Sequence, residues 1–335
     1  MEKIDMKTLQ YKYYFKKNSQ NKEKLPSYIA LGFFDGVHLG HQALLKYCVA
    51  QAKTEQALST ALLLTPHPQT IVNHSNNLAF LTTLPEKLSR IKYLGVQQII
   101  VINFTYEFQK ISAEDFIKKI LLDQFHMGAV FVGYNYHFGY QKKGDINLIK
   151  RASQRYNFKC YVLEPVKING EQIISSTAIK EQLKKGDIVK ANQLLGYFYQ
   201  INGKVIHGDK RGEKILSFPT ANIEVPAEKM LPQNGVYIAL ITIKKQTYKG
   251  LVNIGIKPTF EHKIGRGVSS DTSVEVNIFD FGGDIYNRNI SISLLKKIRD
   301  EKKFTDVENL REQIKKDKKI AESFFKENNF NNNYC

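Results

Sequence analysis

The chain has 335 residues, 42% hydrophobic and 24% charged, a length at which two cores are expected and a composition ordinary for a globular protein. Its start is polar and its apolar runs are short, so neither a signal peptide nor a membrane-crossing helix is expected. Cys48, Cys160 and Cys335 are too scattered for a disulfide framework or a zinc site, which points to a reducing cytoplasm. The formal net charge of +17 admits anionic partners, but the lysines run along the whole chain, and a solvated lysine-rich surface is the plainer reading.

Residues 29–33 read as a strand and 41–53 as the helix after it. Residues 61–64 are a second strand, and 85–94 a helix with Pro85 in its first turn. Residues 98–103 are a strand. Ser112 caps the next helix, with Glu114 and Asp115 at its positive end, and 130–133 is a further strand. Such alternation implies a parallel sheet with helices on both faces, binding ligands at the carboxyl ends of its strands. A helix at 177–185, closed by Gly186, lies between the two textures with another after it. Beyond them, 200–207, 235–244, 247–256, 273–281 and 289–295 alternate as strands and suggest an antiparallel barrel. Thr305-Asp306-Val307-Glu308 reads as a capping box opening a terminal helix to about Lys326. The expected domains are 1–190, α/β, and 191–330, β.

The sharpest local signal is Gly32-Phe33-Phe34-Asp35-Gly36-Val37-His38-Leu39-Gly40-His41. A strand ends in a glycine-containing turn and a helix follows, so free backbone N–H groups and a positive helix end face one spot, which suits an anion. Gly40 permits close approach, and His38 and His41 can both donate to charge on a phosphate. A second constellation runs from Gly203 through His207-Gly208-Asp209-Lys210-Arg211-Gly212 to Ser217-Phe218-Pro219-Thr220-Ala221-Asn222. By composition it is a basic hairpin followed by a proline turn. Its amides can reach phosphates, and Thr220 and Asn222 offer oxygens that suit Mg2+ better than zinc.

The first run resembles the HxGH motif of the nucleotidyltransferase superfamily, and its Phe34-Asp35-Gly36-Val37 is similar to the bacterial bifunctional riboflavin kinase/FAD synthetase family. Thr65-Pro66-His67-Pro68, then Val132-Gly133-Tyr134-Asn135-Tyr136-His137-Phe138-Gly139 with Gly144-Asp145, then Ile174-Ser175-Ser176-Thr177-Ala178-Ile179-Lys180 follow in the family's order, the last similar to ISSTxIR. Pro219 to Asn222 resemble the PTAN signature of riboflavin kinases. Gly235-Val236-Tyr237, Asn253-Ile254-Gly255 with Pro258-Thr259-Phe260, and Arg299-Asp300-Glu301-Lys302-Lys303-Phe304 fit the same module. The resemblance covers roughly residues 28–315. It implies a Rossmann-like nucleotidyltransferase sheet, then a Greek-key riboflavin-kinase barrel with a terminal helix.

It also implies a chemistry. The second domain would phosphorylate riboflavin to FMN with ATP and Mg2+; the first would join FMN to ATP, giving FAD and pyrophosphate. His38 and His41 would stabilise the transition state, with Gly32, Phe34, Asp35, Gly40, Ser176, Thr177 and Lys180 on the nucleotide and its phosphates, and His67, Pro68 and Asn135 on the flavin side. In the barrel, Gly208, Lys210 and Gly212 would cradle phosphates, Thr220 and Asn222 would hold Mg2+, Glu275 would be general base on the riboflavin 5′-hydroxyl, and Arg299 would lie near the flavin. Two departures stand out. Lys180 replaces the signature's arginine and loses its planar fork, so a weaker phosphate grip is expected. Ser217 replaces a glycine in a stretch one residue longer than the common pattern, so a slower kinase is expected. Other readings remain: a single-activity descendant that only adenylylates FMN, transfer to another phosphate, or a basic nucleic-acid-binding protein on this scaffold. Against the last, no aromatic–basic stacking motif stands out. No membrane partner is expected.

Overall fold

Continuous apolar runs set the strands of the first half. The computed structural model describes residues 9–15, 25–72, 78–207, 220–256, 272–302, 304 and 306–328. The chain divides into two units, Met1–Ser176 and Thr177–Cys335. The first contains β1 (Tyr11–Tyr14), β2 (Ser27–Leu31), α1 (Leu39–Thr54), β3 (Leu58–Thr65), α2 (Pro68–Val72), α3 (Leu84–Tyr93) and β4 (Gln98–Asn103). It continues with α4 (Tyr106–Gln109), α5 (Ala113–Asp115), β5 (Met127–Gly133), α6 (Ile146–Tyr156), β6 (Lys159–Leu163) and the small pair β7 (Lys167–Ile168) and β8 (Gln172–Ile173). Helix α7 (Ser176–Lys185) begins at the division.

The sheet order is β1-β4-β3-β2-β5-β6, with β2 to β6 parallel and β1 antiparallel along the edge at β4. The chain winds outward through β2, β3 and β4, then crosses back to β5 on the other side of β2. That reversal opens a crevice at the carboxyl end of β2, the place where such sheets take ligands. Alternation along each strand feeds two cores. Ile29, Leu31, Ile100, Ile102 and Val130 pack with Phe116, Ile117 and Ile120 on one face. Ala30, Leu63, Ile99 and Phe131 pack with Leu45 and Ile91 on the other. Each of these side chains larger than alanine contributes roughly 1.5–3 kcal/mol by leaving water.

Three helix starts differ from expectation or refine it. Helix α1 begins at Leu39 rather than at His41, because His38 caps it. Ser112 does cap, its hydroxyl accepting from the Asp115 N–H at 3.0 Å, but the coil widens into a π-helix over Phe116–Gln124. Thr83 and Glu86 form a reciprocal capping box on α3, with Pro85 at its second position.

The second unit holds α8 (Ile188–Leu195) and six strands: β9 (Tyr199–Ile206), β10 (Thr220–Glu224), β11 (Gly235–Ile243), β12 (Gln246–Ile256), β13 (Thr272–Ile278) and β14 (Asn289–Arg299). They close into an antiparallel barrel, β10-β13-β12-β11-β14-β9, which leaves no sheet edge. Thr220 to Glu224 are therefore strand, not the proline turn their composition suggests. The terminal helix α9 (Val307–Glu327) lies on the barrel's outer face, where Ala321 and Phe325 meet Val236, Ile238, Leu240, Leu251 and Leu295. Its cap is Asp306, whose carboxylate accepts from the Asn309 N–H at 2.8 Å, one residue after the expected Thr305, which lies outside the described residues. No helix among the described residues is long and apolar enough to cross a membrane.

Candidate functional site

In the first unit, parallel pairing aligns the carboxyl ends of β3, β2 and β5, and each carries one of the motifs. Gly32 to His41 follow β2, His67 and Pro68 follow β3, and Asn135, exposed, follows β5. The turn after β2 is tight. Phe34 (φ 49°), Gly36 (φ 82°) and Val37 (φ 37°) all have left-handed backbones. Glycine adopts this readily, but a β-branched valine does not, so surrounding bonds must hold it. Thr82 supplies two of them. Its hydroxyl accepts from the Gly36 N–H at 3.0 Å, and its own N–H donates to the Asp35 carboxylate at 3.2 Å. The Gln42 side-chain amide donates to the Val37 carbonyl at 3.0 Å. Phe34 is fully buried, and a Cβ on Gly32 would press on its ring at 3.0 Å.

This frame brings the two histidines face to face. Their rings stack at 3.6 Å and 21°, with Phe34 edge-on to His41 at 5.3 Å. A side chain on Gly40 would meet the His38 ring at 3.2 Å, so the glycine keeps room for that imidazole. His38 Nδ1 accepts from the His41 backbone N–H at 3.4 Å, which assigns its proton to Nε2. His41 Nδ1 is buried without a partner. A proton there would be an unmet donor, so Nε2 again carries the hydrogen. Neither Nε2 is engaged by another described residue.

Both rings are neutral near pH 7. Burial holds His38 down at about 4, against an opposing pull from Asp35. Burial first, then the charges of His38 and Lys87, hold His41 well below its ordinary value. A histidine depressed in this way binds fewer protons folded than unfolded between about pH 6.5 and 4. Its stabilising effect is complete above the unfolded value and is lost as pH falls through that window. The drop from 6.5 to about 4 at His38 corresponds to roughly 3 kcal/mol at the acid end. Thermal unfolding of the full chain should accordingly show the first unit melting earlier as pH falls from about 7.5 to 5, and a His38→Gln variant should flatten that dependence. An unchanged pH slope in the variant would remove the assignment.

Ser176 joins this site from afar in sequence. Its hydroxyl donates to the Asp35 carbonyl at 2.8 Å, and the Ile174 carbonyl lies 3.8 Å from where a Gly40 side chain would begin. Its proton thus braces the turn and is not pointed at a phosphate. Thr177 and Lys180 continue α7 in its first two turns. Two residues escaped the sequence reading. Thr82 is one; a plain Thr-Thr pair before a helix gives no hint of a long-range clasp. Phe33 is the other. It is 38% exposed and lies tilted against His67 at 4.5 Å, with Phe80 5.2 Å from the same ring. The doubled Phe33-Phe34 was its signal: one ring turns in, the other out.

In the barrel, register does what the sequence could not. Asn222 on β10 pairs with Glu275 on β13, which pairs with Asn253 on β12; Asn253 pairs with Val236 on β11, and Val236 with Arg299 on β14. Thr220 shares the face of Asn222, two residues along β10. Val252, Ile254, Val274 and Val276 fill the interior, so Asn253 and Glu275 between them belong to the outer face. Directly paired side chains lie about 5 Å apart at Cβ, within reach of one small ligand. The row ends under α9. There Arg299 is clamped by Asp317 through Nε at 3.1 and 3.0 Å and a terminal nitrogen at 2.8 Å, and donates to the Asp300 carbonyl at 3.0 Å. Asp317 is 3% exposed and also accepts from Gln313. Losing either partner of such a buried pair costs about 3–5 kcal/mol. Arg299 therefore anchors the helix that walls this end of the row. Gly208, Lys210 and Gly212, with Arg211, Ser217, Phe218, Pro219, Pro258, Thr259, Phe260 and Lys303, lie outside the described residues.

Among the described residues of these groups neither half offers a buried serine or cysteine nucleophile; both present N–H donors, oxygens and a carboxylate, which suit in-line transfer from a bound polyphosphate. Fold and sites together place the chain among tandem nucleotide-dependent transferases. Residues 20–178 match the FAD synthetase family model and 195–325 the riboflavin kinase model. The bifunctional riboflavin kinase/FMN adenylyltransferase of Buchnera aphidicola subsp. Acyrthosiphon pisum is 36% identical over 301 residues, covering 89% of this chain and 93% of that one. The protein of the same description from Bacillus subtilis is 36% identical over 307 residues, covering 90% and 94%. A crystal structure described as a macrolide-efflux protein from Streptococcus pneumoniae superposes with a TM-score of 0.79 at 27% identity, over 90% of this chain and 95% of that one. The chain belongs to the bifunctional riboflavin kinase/FMN adenylyltransferase family.

Proposed function

We propose that the chain makes FMN from riboflavin in residues 191–330 and FAD from FMN in residues 1–190, using ATP in both steps. The observation that carries the reading is that each half keeps its reactive groups together: stacked, neutral His38 and His41 at the crevice of the sheet, and Glu275 paired with Asn222 on the barrel.

In the first unit an ionised FMN phosphate oxygen attacks the α-phosphorus of ATP. A new O–P bond forms, the bond to the β-phosphate breaks, and pyrophosphate leaves with the electron pair. No proton need move at the attacking oxygen, so the site needs donors and not a base. The Nε2–H groups of His38 and His41 and the first N–H groups of α1 supply them. Gly32, Phe34, Asp35 and Gly40 shape this donor set, Ser176 braces it, and Thr177 and Lys180 serve the phosphates. Phe33, His67 and Phe80 form an aromatic wall that, with Pro68 and Asn135, suits the flavin side.

In the second unit Glu275 takes the proton of the riboflavin 5′-hydroxyl as its oxygen bonds the γ-phosphorus and ADP departs. The Thr220 hydroxyl and the Asn222 amide oxygen, hard donors on one face of β10, fit Mg2+. Bound there, the ion offsets charge on the ATP phosphates. Gly208, Lys210 and Gly212 would cradle those phosphates, and Arg299 holds the wall beside the flavin.

Incubation with riboflavin, ATP and Mg2+ tests this. FMN should appear first and FAD follow, resolved by chromatography, and FMN with ATP should yield FAD and pyrophosphate in equal amounts. FAD from FMN with no FMN from riboflavin would leave only the adenylyltransferase. Transfer to another phosphate with none to FMN would overturn the first unit's assignment.

A further inference from the structure

The bend that presents the two histidines is a β-turn. The Val37 N–H donates to the Phe34 carbonyl at 3.1 Å, and Gly36 at φ 82° follows an Asp35 outside the left-handed region, which makes the turn type II. Type II and type I differ by rotation of the middle peptide group, here the one joining Asp35 to Gly36, and a glycine serves in either. Two hydroxyls from distant segments hold that single peptide group by its opposite ends. Thr82, just before α3, accepts from the Gly36 N–H at 3.0 Å, and Ser176, at the start of α7, donates to the Asp35 carbonyl at 2.8 Å. The Thr82 N–H adds a bond to the Asp35 carboxylate at 3.2 Å. Asp35, Gly36 and Thr82 are all buried, so a partner removed there is not readily replaced by water. Val37 and His38 follow directly, and His38 both caps α1 and stacks on His41 at 3.6 Å.

We propose that Thr82 and Ser176 are paired positioning residues of adenylyl transfer: their hydroxyls clamp the Asp35–Gly36 peptide in its type II orientation and so keep the His38 and His41 rings aimed at the α-phosphorus. This rests on the adenylyltransferase reading of the first unit. Neither side chain touches the reacting atoms; both act through the turn. A flip of the clamped peptide changes the backbone angles at Asp35 and Gly36 together, and the chain that leaves the turn through Val37 to His38 must re-aim. Donors to transition-state charge work only when already in place, and a displacement of about 1 Å can lower a rate by roughly 100-fold. The effect therefore falls on the chemical step and not on the affinity for ATP. The Ser176 contact separates this role from gripping a phosphate, because its hydroxyl hydrogen is engaged by the Asp35 carbonyl.

The test uses the full chain with Thr82→Val, which keeps the side chain's shape and removes its hydroxyl, with Ser176→Ala, and with both together. Each single variant should make FAD from FMN with a kcat about 10- to 100-fold lower and a KM for ATP within about threefold of the parent. Because both hydroxyls hold one peptide, the double variant should be no more than about threefold slower than the slower single one. Thr82→Ser keeps the hydroxyl and should stay within about threefold of the parent kcat. Exchange of the Gly36 amide hydrogen, followed by NMR in chain labelled at glycine nitrogen, should quicken by about tenfold or more in Thr82→Val. A parent-like kcat in either single variant overturns the clamp. So do losses that multiply in the double variant, or a Thr82→Ser chain as slow as Thr82→Val. A KM for ATP raised about tenfold by Ser176→Ala would mark a phosphate contact and break the pair. If Thr82→Val does not fold, Thr82→Ser and Thr82→Ala, which differ in the hydroxyl, decide by the same ratio of kcat. A parent chain that makes no FAD from FMN would sink the adenylyltransferase reading. The Gly36 exchange would then judge the clamp by itself: a parent-like rate in Thr82→Val overturns it, and a quickened one leaves the grip on the peptide standing.

Discussion

Replacing His38 by alanine should lower FAD formation from FMN by about 100- to 1000-fold while FMN formation from riboflavin stays within twofold of the parent chain. The range is that for loss of one preorganised donor to transition-state charge. The substitution removes three things at once: the Nε2–H, the face on which His41 stacks, and the cap that accepts from the His41 N–H. The cap alone is worth about 1 kcal/mol of stability. His38→Asn separates these roles, since asparagine caps helices well but carries no ring. If the ring is what matters, His38→Asn stays as slow as His38→Ala. If the cap matters, asparagine restores most of the rate and the donor role is withdrawn. Both rates should be read on one preparation, because a fall in FMN formation as well would mean that the sites are not chemically separate.

The histidine pair was visible in the sequence because its chemistry is local: a strand, a turn, two rings three residues apart. How the pair is held was not. Histidine is not among the usual helix caps, so the start of α1 reads two residues late. Thr82 and Ser176 reach the turn from distant segments, and no periodicity announces either contact. Strands β2 to β5 were legible as apolar runs, whereas β1 is four residues with a lysine in it and gains its identity only by pairing with β4. Strand β10 was hidden by its own composition. Pro219 and Asn222 speak for a turn, and what makes Thr220 to Glu224 extended is closure of the barrel between β9 and β13. Arg299 could be placed in a flavin-kinase module from its motif, but its partner Asp317 sits on a helix whose charge pattern looks wholly solvent-facing.

Glu275 shows most clearly what register adds. On an alternating strand a lone glutamate reads as solvated. Pairing sets it between Asn222 and Asn253 on the barrel's outer face, beside the oxygens that suit Mg2+. A carboxylate so placed can take a proton from a hydroxyl lying over the row, and the amides on either side cannot substitute, since neither accepts a proton near neutral pH. Glu275→Gln preserves shape and strand packing, so the barrel should unfold within about 0.5 kcal/mol of the parent. FMN formation should nevertheless fall by roughly 100- to 10,000-fold, the range of a lost general base, while FAD formation from supplied FMN continues. The loss should appear in kcat rather than in the KM for ATP, because Thr220 and Asn222 are untouched. A variant that keeps more than about a tenth of its riboflavin phosphorylation, well above the floor for a missing base, would show that another group takes the 5′-hydroxyl proton.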